Sequence, residues 1–155
     1  MLDKLPSGQQ LATRRGPSDG KCALCLADED ATHMFFSCPL ARFSWSVFRQ
    51  LLGCSWSPGN FAHFFALLSS LSGQRRRVVW HLFVAQSWAL WNVRNKLSIE
   101  HKIIKHPADI IYKTLIFLQL WCLNAKPVDR PRLSELVGRL KLLYTANRPS
   151  RSSRS

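Results

Sequence analysis

Four residues of metal-binding type lie within 17 positions near the start of this sequence. They form the pattern C-x2-C-x7-H-x4-C, made of Cys22, Cys25, His33 and Cys38. Two residues between cysteines let one turn direct both sulfur atoms to the same side, which is the usual first half of a tetrahedral zinc site. Because protein ligands would fill all four positions and leave none for a reacting water, we expect one structural Zn²⁺ ion and not a catalytic one.

The second pair of ligands must return to the point at which the first pair aims. Asp30 is a suitable N-cap, so residues 31–36 can form a short helix that carries His33. In a continuous helix Cys38 would lie roughly 140° around from His33. Because Pro39 disfavours helical geometry at the residue before it, the chain can bend at Cys38 and return the sulfur towards His33.

The alternative is four unrelated core residues, because cysteine is often buried as a small hydrophobe and a lone histidine is usually satisfied in the core. The N-terminus has no apolar run of signal-peptide length, and the apolar stretch at 78–93 is too short to span a bilayer. We therefore expect an intracellular protein, nuclear or cytoplasmic, that is not secreted. Reduced cysteines then favour metal or core roles over disulfides, and the isolated Cys54 and Cys122 should be buried.

The rest of the chain is expected to be helical, with short connections. Apolar residues at three- and four-residue steps predict helices over residues 8–15, 40–52, 61–71, 75–100, 108–123 and 131–144. Gly53 and Gly73 are the expected ends of the second and third of these helices. The stretch at 78–93 is apolar on every face, which predicts a central helix with a core set of Trp80, Phe83, Trp88 and Trp91.

The predicted fold class is mainly α, with a small CCHC zinc-binding segment followed by a compact helical bundle and a disordered basic tail. We expect a zinc-binding domain with flanking helices over residues 1–54. A helical domain should follow over residues 60–146. The Arg- and Ser-rich residues 147–155 lack apolar side chains and should form the tail.

The chain is strongly basic: its 155 residues include 22 Lys and Arg against 9 Asp and Glu, a formal charge of +13. Such a charge predicts attraction to a polyanion, which can be RNA, DNA or anionic lipid. Residues 22–38, by contrast, hold three acids and no Lys or Arg, and zinc-bound thiolates would add negative charge. We therefore expect a phosphate backbone to avoid this segment, since its binding depends on Lys and Arg.

The nucleic-acid surface is accordingly expected on basic clusters elsewhere. Its main members are Arg14, Arg15, Lys21, Arg75, Arg76, Arg77, Arg94 and Lys96, with Lys102, Lys105, Arg148, Arg151 and Arg154 as further members. For each cluster the alternative is a solvated helix end, and Arg94 and Lys96 suit the negative end of a helix macrodipole. The three arginines at 75–77 open a helix, where the macrodipole disfavours cations, so helix capping does not explain them.

The flanks of the cysteine-rich segment extend the pattern. The residues are Leu5-Pro6-Ser7, Leu11, Arg14-Arg15, Cys22, Cys25, Glu29-Asp30-Ala31-Thr32-His33-Met34-Phe35, Cys38-Pro39 and Trp45. Over residues 5–45 the chain resembles the reverse transcriptase zinc-binding domain at the C-terminal end of plant LINE-type (non-LTR) retrotransposon polyproteins. Residues 89–95, A-L-W-N-V-R-N, are similar to the L-W-x-x-R-N helix that often follows there.

The resemblance implies nucleic-acid association in support of reverse transcription. A protein-interaction role, either host-adapted or by docking to a reverse transcriptase core, is the alternative. The sequence has neither the Trp-rich segment that normally precedes this zinc domain nor a Tyr-x-Asp-Asp polymerase core. We therefore expect the C-terminal remnant of a longer retroelement reading frame.

The sequence gives little support for catalysis, and we expect no enzyme activity. A two-metal nuclease or polymerase needs carboxylates from separated elements, whereas the clustered acids at 28–30 are adjacent in the chain. The leading hypothesis is a non-catalytic zinc-binding module that binds RNA or DNA through basic helix ends. Two alternatives stay open: a protein-interaction module with an exposed apolar patch, and a decayed retroelement fragment with no present activity.

Overall fold

A computed structural model describes residues 19–149 of the chain. The elements in this range are a π-turn (His33–Ser37) and the helices α1 (Pro39–Leu52), α2 (Phe61–Ser70), α3 (Gly73–Glu100), α4 (Ala108–Cys122) and α5 (Arg130–Asn147). Residues 19–149 form no β-strand, and the mainly α prediction is confirmed. The helix expected over 8–15 and the tail residues 150–155 lie outside the described residues.

Glycines mark two helix boundaries, one as expected and one not. Gly53 ends α1 in the left-handed region at φ 62°, where its backbone N–H donates to the carbonyl of Arg49. A residue without Cβ adopts this conformation without strain. The expectation that Gly73 ends α2 is wrong, because α2 ends at Ser70 and Gly73 is the first residue of α3.

Helix α3 has 28 residues and contacts the π-turn, α1, α2 and α4. Phe83 is buried in this interface, with its ring centroid 3.8 Å from that of Phe64, so its core assignment is confirmed. Trp91 is half-buried. The core assignment of Trp80 and Trp88 is wrong, because these side chains are 41% and 44% exposed. The neighbouring elements cover α3 on some sides only. The sequence pattern, which is apolar on every face, predicts instead that the helix is covered on all sides.

The buried apolar side chains of the described residues form one continuous core, which runs from Cys22 and Cys38 to Leu133 and Leu140 of α5. The division into domains at 1–54 and 60–146 stays a prediction. Among residues 19–149, no helix has the length and apolar character needed to cross a bilayer.

Candidate metal centre

The first two cysteines lie on a tight turn. The backbone N–H of Cys22 donates to the carbonyl of Ala27 at 2.7 Å, and the N–H of Leu26 donates to the carbonyl of Cys22 at 2.8 Å. Just outside this turn, Lys21 and Asp28 form a single antiparallel bridge. The C-x2-C pair therefore sits on one small hairpin, the arrangement that aims both sulfurs to the same side.

The other two ligands are the ends of the π-turn. Asp30 caps the short helix as expected, since its Oδ1 accepts from the backbone N–H of His33 at 2.7 Å. The N–H of Cys38 then donates to the carbonyl of His33 at 2.8 Å, a bond that spans five residues and widens the turn. Cys38 is extended at ψ 143° and Pro39 begins α1, so the predicted bend before the proline is confirmed.

The indole of Trp45 fixes the π-turn against α1. Trp45 is 2% exposed, and its Nε1–H donates to the carbonyl of Phe35 at 2.8 Å. Its ring also stacks on that of Phe36, with centroids 5.6 Å apart. The residue that the sequence pattern places on the next helix therefore holds the backbone that carries His33 and Cys38.

The four predicted ligands meet at one point. The Sγ atoms of Cys22 and Cys38 are 3.9 Å apart, and the Sγ of Cys25 is 3.3 Å from Nε2 of the histidine. All four ligand atoms lie within 4.8 Å of one another. Zn–S bonds of about 2.3 Å and Zn–N bonds of about 2.0–2.1 Å place tetrahedral ligands roughly 3.4–3.8 Å apart. The two measured pairs lie near this range and the whole cluster is somewhat wider, so small movements would let three sulfurs and one ring nitrogen hold one zinc ion. We call residues 20–38 the zinc loop.

Two of the ligand cysteines are electrostatically coupled. The pKa of Cys22 is raised from its ordinary value near 9.0, because its thiol donates to the sulfur of Cys38 and because it is buried. The pKa of Cys38 is lowered, chiefly because its sulfur accepts that hydrogen bond. Zinc binds cysteine as thiolate, so its binding must release the thiol protons of this pair.

Glu29 of the zinc loop lies against α3. Its Oε1 accepts from Nε of Arg94 at 2.8 Å and lies 2.7 Å from Nη2 of the same side chain. Both residues are buried, at 1% and 7% exposed, and they line a small cavity together with Cys22 and Cys38. This pair is not predicted by the sequence, although its two residues belong to the two separate motifs at 29–35 and 89–95.

The zinc loop is less negative than its sequence indicates. Lys21 pairs with Asp28, and Arg94 pairs with Glu29, so two of the three acids are matched by cations outside residues 22–38. Hydrogen bonding to Lys21 lowers the pKa of Asp28 from its ordinary value. Ion pairing therefore compensates part of the negative charge that the sequence places at residues 22–38. The avoidance of this segment by a phosphate backbone stays a prediction.

The predicted nucleic-acid residues fall into different surroundings. Arg14 and Arg15 lie outside the described residues, and Lys21 is exposed beside Asp28. Lys96 is exposed and forms no ion pair within residues 19–149. The prediction that Arg94 belongs to a nucleic-acid surface is wrong. Its side chain is buried inside the protein, where it forms an ion pair with the carboxylate of Glu29.

The three arginines that open α3 also differ from one another. Arg76 donates to the carbonyls of Leu71 and Ser69 at 2.7 and 3.0 Å, next to the C-terminal end of α2. Arg77 donates twice to the carboxylate of Asp129, at 2.6 and 2.9 Å. Arg75 is exposed and has no ion pair in the described part of the chain. Two of the three cations therefore have partners within the fold.

Comparison with known proteins agrees with the metal chemistry. Residues 1–45 match the model of a family described as zinc-binding in reverse transcriptase. The matched residues include all four members of the Cys/His cluster and also Trp45. A search of curated proteins and a search of solved structures found no significant match.

Proposed function

We propose that this chain is a non-catalytic, zinc-stabilised module of the plant LINE-type retrotransposon kind, which associates with RNA or DNA in the nucleus or cytoplasm. The observation that carries the proposal is the closed Cys3His cluster within the residues that match the reverse transcriptase family. A site with four protein ligands gives zinc a structural role and leaves no coordination position for a reacting water.

The distribution of charge supports association with a polyanion. Several basic residues are exposed and form no ion pair within residues 19–149; they are Arg42, Arg75, Lys96, Lys105, Lys126 and Lys141. They lie on α1, α3, α5 and the segments that connect the helices. Scattered cations of this kind favour contacts with phosphates and give no means of reading bases, so we expect binding without sequence preference.

The proposal is tested by fluorescence polarisation with labelled single-stranded RNA and DNA of mixed sequence, titrated with zinc-loaded protein. We expect the logarithm of the affinity to fall linearly with the logarithm of salt concentration, with a slope of about −0.7 for each phosphate neutralised. Affinity should be similar for unrelated sequences. No binding at low salt, or an affinity that salt does not change, would rule out this function.

A protein-interaction role, with docking to a reverse transcriptase core, is the second candidate. An apolar groove of about 420 Å³ favours it; the lining residues are Leu24, Pro39, Leu40, Phe43, Ile103, Ile104, His106, Pro107 and Asn147. Ile103 is 72% exposed, so Ile103→Asp should leave the fold intact. If docking to that core is the function, this substitution abolishes co-purification with the core and leaves nucleic-acid affinity unchanged.

A further inference from the structure

A second cavity lies on the side of the bundle where α3 and α5 begin. It has a volume of about 270 Å³, and its lining residues are Leu52, Cys54, Trp56, Gln74, Arg75, Val78, Val79 and Arg132. The lining combines aliphatic side chains with one indole, one amide and two guanidinium groups, and it contains no carboxylate. This is the composition of a pocket for a ligand that has both a planar part and an anionic part.

Within residues 19–149, the positive charge of this cavity is only partly compensated. Arg75 lies in the first turn of α3 and Arg132 in the first turn of α5, the positive ends of both helix macrodipoles, where cations are disfavoured. Within the described residues Arg75 has no ion pair. Arg132 donates to Glu135 at 2.7 Å through Nη1, so this exposed carboxylate takes up part of its charge. An anion in the cavity would relieve both unfavourable placements.

The neighbouring arginines show that Arg75 is a separate case. Arg76 is held by carbonyls at the end of α2, and Arg77 is held by the buried carboxylate of Asp129. Arg75 alone of these three residues lines the cavity. Two arginines of the R-R-R run are therefore held by partners in the fold. The third, Arg75, has no ion pair within residues 19–149 and can bind a ligand.

Trp56 supplies the planar contact. Its indole lines the same cavity, and it is half-buried, with its ring centroid 5.8 Å from that of Phe48. An aromatic ring anchored by a core neighbour is a stacking platform that accepts any nucleobase. Gln74 also lines the cavity, and its side-chain amide donates to the carbonyl of Val128 at 2.8 Å.

We infer that this cavity binds a nucleotide, with the phosphate between Arg75 and Arg132 and the base against Trp56. The inference deepens the proposed function and in part rests on it, because it names one place where a nucleic acid would be held. The shared chemistry is a nucleoside monophosphate. Its source is either the phosphorylated end of a strand or a free mononucleotide.

The test is calorimetric titration of the full-length, zinc-loaded chain with AMP, inorganic phosphate, and a pentanucleotide with and without a 5′-phosphate. We expect Arg75→Gln to weaken the binding of the phosphate-bearing nucleotides by about tenfold. This is the loss of affinity that follows from removing one hydrogen-bonded charge. Arg139→Gln is the matched control, because Arg139 is also a helical arginine, does not line the cavity, and is not among the exposed cations assigned to polyanion binding. Trp56→Leu should weaken the binding of AMP and leave the binding of inorganic phosphate unchanged.

The probes separate the two sources. AMP binding that depends on Arg75 identifies a free nucleotide, and a preference for the phosphorylated pentanucleotide without AMP binding identifies a strand end. The inference is overturned if no phosphate probe binds, if Arg75→Gln binds every probe as the original chain does, or if inorganic phosphate binds as tightly as AMP. If long RNA binds the Arg75→Gln variant as tightly as it binds the original chain, only the pocket is refuted. If the original chain binds AMP but no long strand, only the general nucleic-acid role is refuted.

Discussion

Arg94 of α3 and Glu29 of the zinc loop form a buried ion pair, although they are 65 residues apart in the sequence. Their side chains are 8% and 2% exposed, so neither charge is solvated by bulk water. Removing one partner of such a pair leaves an uncompensated charge in the interior. The pair therefore couples the stability of the zinc loop to that of the long helix.

The first prediction concerns this coupling. Arg94→Met in the zinc-loaded protein should lower the free energy of unfolding by about 3–5 kcal/mol, measured by urea denaturation, because the buried carboxylate of Glu29 loses its guanidinium partner. Adding Glu29→Gln should recover most of the loss. Arg132→Met is the control, because its pair with Glu135 is exposed and should contribute no more than about 1 kcal/mol. Equal losses in the two single variants would contradict the coupling.

The second prediction concerns the metal. Zinc should co-purify in stoichiometric amount, and Cys38→Ser should abolish it, because three protein ligands no longer close the site. Since binding of a structural zinc contributes folding energy, a chelator should reduce the helical circular dichroism of the original chain. Cys54→Ser, which removes a half-buried cysteine outside the cluster, should retain full zinc. A metal-free, fully folded original chain would refute the assignment.

The third prediction concerns acid stability. Donation from Arg77 lowers the pKa of Asp129 below its ordinary value of 3.8. A carboxyl group whose pKa is lower in the folded than in the unfolded protein stabilises the fold at pH values above the unfolded-state pKa. This contribution is lost as the pH falls through the folded-state pKa. Asp129→Asn should therefore lower the unfolding temperature at pH 7, and the difference from the original chain should shrink below about pH 4. Glu100→Gln, at an exposed pair with Lys102, should change little. A difference that is constant with pH would show that this ion pair is not its cause.

The fourth prediction concerns Trp45. Trp45→Phe should lower the free energy of unfolding by about 1–3 kcal/mol, because the buried carbonyl of Phe35 loses its donor. It should also weaken zinc binding, since that carbonyl lies within the turn that carries two ligands. Trp88→Phe changes an exposed indole and should cost much less. Unchanged zinc affinity in Trp45→Phe would show that the indole does not position the π-turn.

Much of the metal centre could be predicted from the sequence. The C-x2-C turn, the cap at Asp30 and the bend at Pro39 depend on residues within a few positions of one another, so local geometry decides them. The π-turn could not be predicted, because helices that begin with the same cap usually continue with four-residue hydrogen bonds. The carbonyl of Phe35 within this turn accepts from the indole of Trp45, a contact between separate elements that the sequence does not specify.

The helices followed from apolar periodicity, which is a property of the chain alone. Which tryptophans are covered, and which arginines have partners, depended on where the helices pack. Arg75, Arg76 and Arg77 are indistinguishable as a sequence run, yet they have three different environments, because Asp129, the end of α2 and the cavity lie on different sides of α3. Spacing thus determined the ligand set and the helical class. Packing decided the Glu29–Arg94 pair and the arginine-lined cavity, because contacts between distant segments leave no local pattern in the chain.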